Sequence, residues 1–254
     1  MKLYKNKYYT LLLIILILLL LCRYVCSFTD KSYQISSEMY NTDKYYQISS
    51  KMSNTDIINL RKGQHIMKDM LKEFHNLCIC NNIKYWSQAG TLIGAVRHNG
   101  WIPWDGDVDV SMLTDDYKKL KNIIHLLPND MIFSEPKDKP CSKIRTTKAI
   151  YEPSSYSQKD DWNMGIQIDI FLFDIEHEKK NKFIIGEWPV CGTPGEKKVP
   201  YKDIFPLKTK KFDDIYIHVP NKYKKICKKT WGNYPPPLIP IDERVCHEGR
   251  VKIL

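Results

Sequence analysis

The sequence predicts an α+β domain carried behind an N-terminal membrane helix. Three observations lead there. In residues 57–80 and 114–127, apolar side chains recur every three or four positions, the period of a helix with one buried face. Elsewhere the period shortens to two. Val108 and Val110 alternate with Asp107 and Asp109, and Ile166, Ile168, Ile170 and Leu172 alternate with Gln167, Asp169 and Phe171. That is the period of a strand with one buried face. Finally, residues 11–22 (LLLIILILLLLC) are apolar without a break.

The apolar run follows Lys2, Lys5 and Lys7. Its twelve residues match the core of a signal peptide. Counted from Tyr8 to Phe28, with Arg23 reaching back to the interface, it also spans a bilayer. The sequence around Val25-Cys26-Ser27 is a poor cleavage site, so the segment reads as an uncleaved anchor. The basic flank keeps the N-terminus cytosolic. The expectation is a single-pass type II membrane protein facing the ER or Golgi lumen, or a secreted protein if the segment is removed. Residues 1–28 then form the cytosolic tip and anchor, 29–56 a stem, and 57–254 the domain.

The stem carries a repeat, YQISSEMYNTD from Tyr33 and YQISSKMSNTD from Tyr46. It is polar and serine-rich, as a spacer would be. Two copies do not make a solenoid.

Net charge is +10, which suits a phosphate-bearing partner. The lysines are spread along the chain and no RNA or DNA module is recognisable, so nucleic acid is not an expected partner. Six cysteines fall in the domain, at 78, 80, 141, 191, 227 and 246. In an oxidising compartment they permit up to three disulfides. Cys78-x-Cys80 is too close for a usual zinc pair, and no N-x-[ST] sequon occurs.

Within the domain, the first helix buries Ile66, Met67, Met70, Leu71, Phe74, Leu77 and Cys78, and Asn81-Asn82 stops it. Residues 83–86 form a short strand leading to Gly90. Thr114 is the expected N-cap of the second helix, Tyr117, Leu120, Ile123, Ile124 and Leu127 its buried face, and Pro128 its end. Residues 131–133 and 141–146 are strands. Lys143 and Arg145 share one face of the second, where they either meet phosphates or face water. Residues 204–207, 215–219 and 223–231 read as loop, strand and short helix, before Pro235-Pro236-Pro237 breaks regular structure.

The chemistry concentrates in GTLIGAVRHNGWIPWDGDVDV, Gly90 to Val110. Asp107 and Asp109 project from one strand face and repel each other unless a cation lies between them. Mg²⁺ is commonly held by one or two carboxylates together with substrate phosphates. A calcium loop counted from Asp105 fails, because its sixth and twelfth positions hold Val110 and Asp116. Asp169 is a lone acid in an apolar strand, and burying it requires compensation by a metal or a basic partner. A glycine turn, an acid–apolar–acid strand and a separate single-acid strand are the parts of a polymerase-β-type nucleotidyltransferase site. There the turn approaches phosphate oxygens and three carboxylates manage the metal.

The same stretch resembles the signature of the LicD/fukutin-related nucleotidyltransferase-like family. The likeness runs from about Tyr85 to Pro237 and takes in KIR at 143–145, QIDIF at 167–171, VPNKY and WGNYPPP. It implies a mixed-sheet nucleotidyltransferase core flanked by helices. It implies a transferase moving a phospho-alcohol, such as phosphocholine or ribitol phosphate, from a CDP-linked donor to a glycan or glycoprotein with Mg²⁺ or Mn²⁺. By the same resemblance, Asp107 and Asp109 are metal ligands and Asp169 is the third carboxylate, active in catalysis. Asp105 supports the site, Gly90 and Thr91 line the phosphate turn, and Arg97 lies near the donor; Lys143 and Arg145, on their strand face, are the further candidates for binding it. Gly106 stands where many bacterial relatives have another aspartate.

Overall fold

A computed structural model describes residues 47–135, 142–152, 166–187 and 197–254. The apolar N-terminal segment and the first copy of the repeat lie outside the described residues, as do Cys141 and Cys191. Among the described residues, no helix is long and apolar enough to cross a membrane.

The chain folds as a mixed α+β domain. Helix α1 (Asn54–Cys80) opens it with a reciprocal cap: Asp56 N–H donates to Ser53 Oγ, and Ser53 N–H donates back to the Asp56 carboxylate. The expected boundary at residue 57 therefore falls inside the helix. Ser49 is also buried, and its N–H donates to the Arg244 carbonyl at 3.0 Å, so the end of the expected stem already belongs to the domain.

A mixed sheet forms the centre. Its strands, β1 (Tyr85–Ser87), β2 (Val108–Leu113), β3 (Met131–Ser134), β4 (Ser142–Thr146) and β6 (Gln167–Glu178), lie in the order β1-β2-β6-β4-β3. Only β2 and β6 run parallel; the other neighbours are antiparallel. The far half of β6 leaves β2 and pairs with β7 (Asn181–Ile185), which pairs in turn with β8 (Lys198–Pro200). Val108, Val110, Ile144, Ile168 and Ile170 are wholly buried, so one face of the β2–β6–β4 sheet is core. That leaves the alternate side chains on the opposite face.

Helix α2 (Ala89–Ile93) runs into a π-helical turn, Gly94–His98, between β1 and β2. Helix α3 (Thr114–Ile123) packs on β2 and β6. Its cap differs from expectation. Leu113 is the N-cap and makes no side-chain cap bond, while Thr114 Oγ1 donates instead to the Phe173 carbonyl at 3.3 Å. Helix α4 (Tyr201–Ile204) and helix α5 (Tyr223–Trp231) enclose the hairpin of β9 (Lys208–Phe212) and β10 (Ile215–Val219) in sequence. The tail returns as β11 (Arg250–Ile253), which pairs with β5 (Ala149–Glu152) and packs on α1. Cys78, Cys227 and Cys246 carry free thiols, so the domain forms fewer disulfides than its cysteines permit.

Candidate active site

The site is built from the face of β2 and β6 that the valines and isoleucines leave open. Parallel pairing sets Asp109 directly opposite Asp169, and antiparallel pairing sets Lys143 opposite Asp169 from the other side. Asp107 lies two residues before Asp109, on the same face. One carboxylate oxygen from each of Asp107, Asp109 and Asp169 can be chosen so that all three lie within 4.8 Å of one another. The three acids therefore converge, although about sixty residues of chain separate the third from the first two.

The glycine turn serves this face. Asp109 N–H donates to Thr91 Oγ1 at 2.8 Å, and the Asp109 carbonyl accepts from Gln88 N–H at 3.0 Å. The Gly90 N–H supports the Asp109 carboxylate. Gly90 also abuts Asp105: a Cβ at position 90 would stand 2.5 Å from Asp105 Oδ2. Ala89, just before it, holds a φ of +40°, a conformation costly for a residue with a Cβ. In this structure the expected phosphate turn braces two of the acids. Gln64 fixes the segment from the other side, its Nε2 donating to the carbonyls of Ile102 at 3.1 Å and Asp105 at 2.7 Å.

Electrostatically, the acids are under stress. Burial, then the repulsion of Asp169 and Glu248, pushes Asp109 up to about 8, against relief from Lys143 and the Gly90 N–H. Burial and neighbouring carboxylates hold Asp105 and Asp107 well above the usual carboxylate range. Burial raises Asp169 too, opposed by Lys143, whose Nζ donates to Asp169 Oδ1 at 2.7 Å. Of the two compensations open to Asp169 in the sequence, the basic partner is present.

Arg97 and Arg145 each hold hydrogen bonds outside the three acids. Arg97 bears electrostatically on Asp105, but its Nη1 donates to the carbonyls of Pro236 at 3.3 Å and Pro237 at 2.6 Å. Arg145 Nη2 donates to Ser134 Oγ at 3.1 Å. Glu248, which sequence reasoning passed over, forms a second convergent set with Asp105 and Asp107, again within 4.8 Å. It arrives beside Gly106, where a Cβ would meet Glu248 Oε2 at 2.3 Å. A lone glutamate on an irregular tail gives no periodic signal, so only the return of β11 brings it into view.

The donor set fits a hard divalent cation. It offers oxygens only, from carboxylates that repel one another and are half-buried or buried. Gln167 Oε1 is buried without a hydrogen-bond partner among the described residues, while the Nε2 of the same amide lies 3.4 Å from Asp169 Oδ2. The water shell of a bound cation would supply that missing donor.

The sequence profile of the LicD/FKTN/FKRP nucleotidyltransferase domain matches residues 82–222. An uncharacterised protein of Rickettsia prowazekii (strain Madrid E) is 30% identical over 152 residues, 60% of this chain and 48% of that protein. Lipopolysaccharide cholinephosphotransferase LicD of Haemophilus influenzae is 44% identical over 66 residues, 26% of this chain and 25% of that protein. Ribitol 5-phosphate transferase FKRP of Homo sapiens is 21% identical over 178 residues, 62% of this chain and 30% of that protein. The chain thus spans less than half the length of each of these relatives. A lincomycin-bound lincosamide adenylyltransferase, LnuA, superposes with a TM-score of 0.33 at 9% identity, over 77% of this chain and 92% of that one, too weak a likeness to bear on the fold.

Proposed function

The chain belongs to the LicD/FKTN/FKRP nucleotidyltransferase-domain family, and on that premise we propose that it is a metal-dependent phosphotransferase. It moves a phospho-alcohol, of the phosphocholine or ribitol-phosphate kind, from a CDP-linked donor to a hydroxyl of a glycan. The observation that carries this reading is the convergence of Asp107, Asp109 and Asp169 from two strands onto one small volume.

Asp107 and Asp109 would hold Mg²⁺ or Mn²⁺, with Asp169 completing the set. When bound, the cation supplies positive charge to the donor diphosphate and to the acids that face it. Thr91, Gln88 and Gly90 keep Asp109 in place while that charge is exchanged. Asp169 accepts the proton of the acceptor hydroxyl. A carboxyl raised by burial is better suited to hold that proton than an exposed one. The hydroxyl oxygen bonds to the distal phosphorus, the bond to the bridging oxygen breaks, and CMP leaves. The basic flank and apolar run at residues 11–22 support placing this chemistry in the ER or Golgi lumen behind a type II anchor.

The test is CMP release from a panel of CDP-alcohols with Mn²⁺ and a glycan acceptor. Loss of a carboxylate from such a site should cost at least about 100-fold, so Asp107→Ala should abolish metal-dependent release while the protein stays folded. Full activity in that variant would overturn the reading. The Lys143–Asp169 pair favours one other reading, a non-catalytic glycan-binding relative, because it compensates Asp169 without a metal. Calorimetry separates the two: a pure glycan binder gives no Mn²⁺-dependent heat with a CDP-alcohol.

A further inference from the structure

Lys143 is 2% exposed, among the most buried side chains of the protein. Burying a lysine is costly unless a partner repays the lost hydration. Asp169 is such a partner, 2.7 Å away and directly across the β4–β6 ladder. Strand β6 thus stands between two neighbours of opposite sign on one face: β2 presents Asp109 to Asp169 from one side, and β4 presents Lys143 from the other. Ile144, the next residue, is fully buried on the opposite face, so packing alone accounts for an apolar residue there and gives no reason for a charge at 143.

We propose that Lys143 is a positioning residue, a built-in counter-cation. It holds Asp169 on the acid face in the metal-free protein and shares that carboxylate with a divalent cation when one binds. The sharing rests on the reading of the three acids as a cation site; the holding does not. Lys143 therefore acts through Asp169 rather than on a donor phosphate. Its charge also tempers the acid face: it offsets Asp169, relieves Asp109 as well, and competes mildly with the incoming ion.

The experiment uses the full-length protein and four variants: Lys143→Met, Lys143→Arg, Asp169→Asn and the Lys143→Met/Asp169→Asn double. Thermal midpoints are measured in chelator and then in Mn²⁺ or Mg²⁺. In chelator, each charge-removing single variant should melt below wild type, and the double should lose clearly less than the sum of the two. Additive losses would overturn the holding role. With Mn²⁺, the midpoint of Lys143→Met should rise at least twice as far as that of wild type, because the ion then neutralises Asp169 without opposition. Lys143→Arg should return to the wild-type response. An equal rise in Lys143→Met and wild type would overturn the sharing. If Lys143→Met alone does not fold, a folded double variant supports the pairing and an unfolded one overturns it. A flat response to both cations in wild type removes the cation site, and the sharing with it, while the chelator cycle still decides whether Lys143 holds Asp169.

Discussion

Asp109 and Asp169 stand on the same rung of two parallel strands, each the other's cross-strand neighbour. Like charges placed directly opposite destabilise a sheet. Here the arrangement is retained, with Thr91 and Gly90 bracing one acid and Lys143 the other. A positive charge the structure sets on that face is Lys143.

Thr91 is 2% exposed, and its Oγ1 accepts the Asp109 N–H at 2.8 Å. Thr91→Val keeps the shape and removes the acceptor, leaving a backbone donor unsatisfied. We expect about 1–3 kcal/mol of lost stability, seen as a lower midpoint in urea with an unchanged slope. Metal-dependent CMP release should fall with it. An unchanged midpoint would mean that Thr91 does not brace the strand.

The raised Asp109 carboxyl makes metal-free stability depend on pH. Its folded value, about 8, lies above that of the unfolded chain, so its contribution is complete below about pH 4 and is lost as pH rises toward 8. In chelator, the midpoint should therefore fall between pH 6.5 and pH 8. A saturating divalent cation should raise it more at pH 8 than at pH 5, where protons compete for the same oxygens. A cation response larger at pH 5 would contradict the site.

A different group governs the acid side. His75 Nδ1 lies 2.8 Å from Tyr85 Oη, and burial, then the proximity of His218, lowers its value to about 4. Burial lowers His218 as well. A histidine depressed on folding stabilises above its unfolded value near 6.5, and that contribution is lost as pH falls toward 4. His75→Phe should flatten the decline between pH 6.5 and 4.5 by about 2 kcal/mol, a figure reduced for its partial exposure. An equally steep decline in the variant would place the acid sensitivity elsewhere.

Gly94 opens the π-helical turn, and a Cβ there would stand 2.4 Å from the Gly100 carbonyl oxygen. Backbone cannot swing aside as a side-chain tip can. Gly94→Ala should cost about 2 kcal/mol or more and loosen the segment that carries Arg97. Chemical denaturation measures the loss; a neutral result would show that the turn can open without cost.

Periodicity made several elements legible. The stripe from Ile66 to Cys78 is one face of α1, and Val108, Val110, Ile168 and Ile170 are core. Strand β10 and helix α5 fall where residues 215–219 and 223–231 were expected. Strands β7, β8, β9 and β11 escaped notice because they are short, lysine-rich or half-exposed, and their alternation is weak. Thr114 looked like a cap because capping residues are judged locally, whereas its hydroxyl is drawn to the Phe173 carbonyl of a neighbouring strand.

By itself, the sequence determined which way two acids face: Asp109 and Asp169 alternate with valines and isoleucines that must be buried, and that burial fixes the direction of each carboxylate, whereas Asp105 and Asp107 precede β2. Only the tertiary structure decided who stands beside whom. The parallel β2–β6 register pairs Asp109 with Asp169, β4 sets Lys143 against Asp169, and the returning tail brings Glu248 to Asp105 and Asp107. The reason is physical. The direction of a side chain follows from local backbone period, while the sign of its neighbours depends on strand order and register, which contacts distant in the chain select.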